Sequence, residues 1–124
     1  MRRSDQRRAA VVTLYQEDVT GGAAEPQGTD FTRELVVGVR GERDALDTLI
    51  ERHSVGWALD RIAPLERSIL RVALFELLHR PDVPAEVAID EAIEAAKELC
   101  SVEAPGFVNG ILGAVVREGE VASR

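Results

Sequence analysis

Apolar residues recur at helical spacing along most of the chain. Over 4–19, Ala10, Val11, Leu14 and Val19 form one stripe, with Ser4 placed to cap the first turn and Gly21-Gly22 placed to close the last. The segment 20–30 has no apolar period and reads as a loop. A second helix is predicted over 30–40, with Phe31, Leu35, Val36 and Val39 on one side, and a third over 42–53, with Ala45, Leu46, Leu49 and Ile50 inward. Residues 54–63 form a joint with a short helical turn, where Trp57, Leu59 and Ile62 are apolar.

Pro64 then opens a helix over 64–79 that is apolar nearly all round, the pattern of a central element covered on most sides. The segment 84–100 is divided cleanly. Ala85, Ala88, Ile89, Ala92, Ile93, Ala96 and Leu99 lie on one half, and Glu86, Asp90, Glu91, Glu94, Lys97 and Glu98 on the other. A last helix, 105–118, turns Phe107, Val108, Ile111, Leu112 and Val115 inward. No stretch alternates long enough for a strand. The prediction is an all-α domain of about seven helices in two packed lobes, 1–53 and 54–124.

Composition changes this picture in one respect. The chain has 124 residues and a formal net charge of −7, which argues against nucleic acid. The charge is unevenly spread, however. Arg2, Arg3, Arg7 and Arg8 against Asp5 give the first eight residues +3, leaving −10 on the rest. That pattern fits either a basic patch on an acidic body or a solvated terminus. There is no apolar run of membrane-spanning length and no signal-peptide pattern, so a cytoplasmic protein is expected. The single cysteine, Cys100, reads as a small apolar filler.

Constellations for catalysis are missing. His53 and His79 lack metal-ligand spacing, no glycine-rich phosphate loop is present, and Glu86, Asp90, Glu91 and Glu94 read as a solvated helix face rather than a cation site. No enzyme activity, metal or cofactor is expected. Three features stand out instead. Arg2, Arg3 and Arg7 suit phosphates, and Tyr15 suits stacking on an unpaired base or packing at the edge of the core. Glu76 falls on the apolar side of its helix, so it must be paired internally, with Arg40 or Arg71, or face a partner. Asn109, Gly110 and Gly113 make a small-residue face that admits a neighbouring helix or an RNA backbone.

Four segments taken together resemble the NusB family of bacterial antitermination factors. They are Arg3-x-x-x-Arg7-x-x-Ala10-Val11-x-x-Leu14-Tyr15; Trp57-Ala58-Leu59-Asp60-Arg61-Ile62 followed by Glu66 to Leu78; Asp82-Val83-Pro84 leading to Val87 to Lys97; and Phe107-Val108-Asn109-Gly110-Ile111-Leu112. The resemblance implies binding of boxA-type single-stranded RNA in ribosomal RNA leaders together with a small-subunit ribosomal protein (NusE). RNA polymerase and other Nus factors would join indirectly, and the protein itself would be a monomer or homodimer. It places Arg2, Arg3, Arg7, Tyr15, Asn109 and Gly113 on the RNA side, and Glu76, Arg71 and Arg80 at the ribosomal-protein interface. Gly113 departs from the pattern, because some members carry an acid there. The runner-up is the NusB-like RNA-binding part of a ribosomal RNA cytosine methyltransferase without its catalytic half.

Overall fold

The computed structural model describes residues 2–26 and 28–119. It contains α1 (Arg3–Thr20), α2 (Asp30–Gly41), α3 (Arg43–His53), a 3₁₀ turn (Leu59–Arg61), α4 (Pro64–His79), α5 (Ala85–Leu99) and α6 (Ala104–Arg117). The all-α expectation therefore holds, with six α-helices and one short turn, and no strand among the described residues. The predicted boundaries fall within a residue or two of the observed ones.

Helix α4 is the axis. Its buried residues run unbroken from Ser68 to Leu74 and resume at Glu76 and Leu77, so no side of the helix is left to water along that stretch. Each of the other five helices packs against it; α1 also packs on α2, and α5 on α6. The buried apolar residues form one continuous cluster from Ala10 to Val115, crossing the joint at 54–63.

Some side chains depart from the expected pattern. Ser4 is not a cap: α1 begins at Arg3, and the Ser4 hydroxyl donates to Glu91 Oε1 at 2.7 Å. Ala45 and Val19 face water, and Trp57 is 54 % exposed. Ser68 and Arg71, on the more polar side of α4, are nonetheless buried, because that side faces protein rather than solvent.

Gly38, a glycine inside α2, has a packing reason. A Cβ built there would lie 2.1 Å from Cζ of Phe75, so the aromatic ring of α4 rests on the bare backbone of α2. Gly38→Val is expected to destabilise the fold by about 1–3 kcal/mol through overpacking. Urea denaturation would measure this, and an unchanged midpoint would show that the ring moves away freely.

Candidate nucleic-acid interface

The arginines of α1 divide into inward and outward groups. Arg7 follows the apolar stripe of its own helix, one turn before Val11, and so points at α4. It meets Glu76, which occupies an equally apolar position on α4. Arg7 Nε donates to Oε1 at 2.8 Å and to Oε2 at 3.1 Å, while Nη2 donates to Oε2 at 2.9 Å. The two side chains are 8 % and 1 % exposed. This is a buried, forked ion pair. The expected surface position of Arg7 is thus corrected, as is the expected partner of Glu76: Arg40 instead pairs with Glu17, and Arg71 lies in a separate network.

Arg2 and Arg3 face outward. The Arg2 side chain is 83 % exposed, with Asp5 at 3.5 Å. Arg3 places its guanidinium carbon 4.2 Å from the centre of the Phe31 ring. The same ring has Arg80 at 5.2 Å and Arg7 at 5.3 Å, all within cation–π range. One aromatic side chain of α2 therefore gathers three guanidiniums, from the start of α1 and the end of α4. Arg80, expected at a protein interface, shares this corner with Arg3.

Carboxylates answer these charges. Arg80 Nε and Nη2 donate to the two oxygens of Asp82 at 3.0 and 3.1 Å, and Arg80 also binds Glu34. Arg3 lies 3.7 Å from Asp82. Arg8 binds Glu98 at 2.7 Å and sits 3.6 Å from Glu91. The Arg80 hydrogen bonds, set against slight desolvation and helped by Arg3, hold the Asp82 carboxyl down at about 2 and raise the pKa of Arg80 itself. The +3 of the opening residues is thus largely matched in space by acids from α4, α5 and the turn after α4. Glu91, read from sequence as part of a solvated face, is drawn into this set.

A second network lies near the other end of α1. Arg71 donates to Asp47 Oδ1 at 2.7 Å, to Asp47 Oδ2 at 3.1 Å and to Asp18 Oδ2 at 2.8 Å. Arg43 adds a bond to Asp18 at 2.5 Å, and Arg67 lies 3.5 Å from Asp18. Burial pushes the Asp18 carboxyl up, but Arg71 and Arg43 outweigh it and hold the group below its usual range. Arg71, expected at the ribosomal-protein interface, is buried here and ties α4 to α1 and α3.

The remaining positions lie apart. Tyr15 is half-buried on α1. Asn109 and Gly110 are exposed on α6, and Gly113 lies beneath the side chain of Arg117. Helix α6 packs on α3, α4 and α5, whereas the main neighbours of α1 are α2 and α4, so the two sets of expected RNA residues sit on elements that do not pack closely together. Among the described residues no cluster of His, Cys, Asp and Glu could hold a metal ion, and no helix is long and apolar enough to cross a membrane.

These features define a class of protein: an all-α bundle built round one apolar helix, with an arginine-bearing corner at the start of its first helix. The chain belongs to the NusB family, which it matches over residues 5–117. It is 43 % identical to the transcription antitermination protein NusB of Rubrobacter xylanophilus, over 90 % of this chain and 88 % of that one. It is 41 % identical to that of Bacillus pumilus, over 90 % and 92 % respectively. Among solved structures it is similar to T. maritima NusB, with a TM-score of 0.88, 30 % identity and coverage of 95 % and 92 %. The fold is also shared with the crystal structure of antitermination factors NusB and NusE in complex with dsRNA, at a TM-score of 0.82, 22 % identity and coverage of 94 % and 96 %.

Proposed function

We propose that this chain is a non-enzymatic transcription antitermination factor of the cytoplasm. In this reading it binds boxA-type single-stranded RNA of nascent ribosomal RNA transcripts together with the small-subunit ribosomal protein NusE. The observation that carries the reading is the family match over nearly the whole chain, at more than 40 % identity to curated antitermination proteins. The exposed arginine corner supports it. Arg2 and Arg3 supply a salt-dependent attraction for phosphates. Tyr15, Asn109 and Gly113 are the positions proposed for stacking on bases and for close backbone approach. Glu76 and Arg71, being buried, shape the ribosomal-protein side from within by fixing how α1 and α3 lie on α4. Two modest contacts on one scaffold then reinforce each other, because the second is effectively intramolecular.

The test is a gel shift with a boxA-like RNA, with and without the ribosomal protein, across a salt series. Failure of RNA to bind even with the ribosomal protein present would overturn the reading. The double variant Arg2→Ala/Arg3→Ala should weaken binding and flatten the salt dependence by about 0.7 in log–log slope per lost phosphate contact. Both side chains lie on the surface, so the circular dichroism spectrum should not change. Unaltered RNA affinity would remove these arginines from the interface.

A further inference from the structure

Resting on the RNA-binding reading above, we infer that Arg80 is a further phosphate-binding residue, and that Asp82 is a built-in competitor that occupies Arg80 and Arg3 in the free protein and must be displaced by RNA. Phe31 organises the corner. Its buried ring lies under Arg3 and Arg80, holding side chains from the start of α1 and the end of α4 at one corner. A guanidinium fork reads carboxylate and phosphate in the same two-pronged way. Asp82 engages Arg80 in that way, with bonds of 3.0 and 3.1 Å, and its other neighbour is Arg3 at 3.7 Å. One carboxylate thus stands where a phosphate would satisfy both arginines.

The arrangement allows exchange. Asp82 is about half exposed, on the short turn between α4 and α5, so its side chain can swing into water once a phosphate takes its place. Glu34, on the exposed side of α2, is a second and weaker competitor, since it binds Arg80 alone. The contrast with Arg7 is instructive. The Arg7–Glu76 pair is buried on both sides and closed to exchange, whereas in the Arg80–Asp82 pair the carboxylate is half exposed and free to leave a largely covered guanidinium. A competitor of this kind sets a threshold: isolated phosphates do not displace it, while a strand already held by Arg2 and bases does. The corner then favours a correctly seated RNA over any passing polyanion.

The experiment measures binding of a fluorescein-labelled boxA-like RNA to the full chain, with the ribosomal protein present, over a salt series. Four variants are compared with the wild type. Asp82→Asn should tighten binding by about threefold to fivefold at low salt, the scale of an exposed ion pair, and should steepen the salt slope as freed arginines reach phosphates. Glu34→Gln should tighten it less. Arg80→Ala should weaken it. Asp60→Asn, an equal change of charge, should have no effect: Asp60 lines a cleft with Asp18, fifteen residues and about 22 Å along α1 from Arg3, well beyond the screening length.

Wild-type binding with Asp82→Asn unchanged, or changed no more than Asp60→Asn, would overturn this inference and leave the antitermination reading intact. No RNA binding by any variant would overturn that reading and this inference with it.

Discussion

Arg7→Ala is expected to cost about 3–5 kcal/mol of folding stability, the scale for removing one partner of a buried ion pair. The Glu76 carboxylate, 1 % exposed, would be left among Val72, Ala73 and the alanines of α5 with its principal donor gone. The remaining guanidinium near that pocket, Arg8, is already engaged by Glu98. Natural domains are stable by only about 5–15 kcal/mol, so the loss should be evident as a lower urea midpoint. The double variant Arg7→Met/Glu76→Leu should recover most of it, because replacing both members with apolar groups of similar volume removes the uncompensated charge. A single-variant loss below about 1 kcal/mol would mean that water reaches Glu76 and that the pair is not sealed. There is a practical corollary. Weak RNA binding by an Arg7 variant reports on the pose of α1 as much as on phosphate contact, so Arg2 and Arg3 are the informative positions.

Arg71→Ala should fall at the lower end of that scale, about 3 kcal/mol at neutral pH, since Asp18 and Asp47 lose their buried donor and keep only Arg43, with Arg67 beside Asp18. This loss carries a pH signature. Burial works to raise the Asp18 carboxyl, but Arg71 and Arg43 overcome it, so the folded group titrates below the unfolded one. The stabilisation is therefore fully present above the ordinary carboxylate value of about 4, and is lost as pH falls through the lower folded value. In Arg71→Ala the depression is reduced, because only Arg43 and Arg67 remain near Asp18. The gap in stability between wild type and variant should thus narrow below about pH 4. Urea titrations between pH 7 and pH 3 would check this, and a gap independent of pH would assign the loss to packing instead.

Much of the fold was legible because the chain's periods are long and its punctuation clear. Gly21 ends α1 in the left-handed region as expected, with φ at +77°. Pro64 starts α4, and the all-round apolar pattern of 64–79 marked the central helix. The site was less legible, for a physical reason. Arg7 and Asp18 lie on the same helical stripe as Val11 and Leu14, and Glu76 lies on the apolar side of α4. Each is a charge where its own helix asks for an apolar residue, so each needs an opposite charge from elsewhere. Periodicity within one helix shows that need; it does not show which distant residue answers. Arg40 and Arg71 were reasonable candidates for Glu76, and tertiary packing chose Arg7. The Phe31 corner was hidden for the same reason, being made by α1, α2 and the end of α4. Gly38 could not be explained until Phe75 was seen to lie on it.

In the proposed RNA-binding reading, the Arg7–Glu76 pair also bears on recognition. Arg3 is one helical turn, about 6 Å, from Arg7. Anchoring Arg7 inside the protein fixes the backbone of that turn, so Arg2 and Arg3 hang from a base that is already ordered before any RNA arrives. Only the outer bonds of two side chains are left to lose freedom on binding, rather than a whole terminal segment. On that proposal, the interaction that looks most like architecture would reduce the entropy lost in recognition, and the opening arginines would act as a preorganised edge instead of a trailing arm.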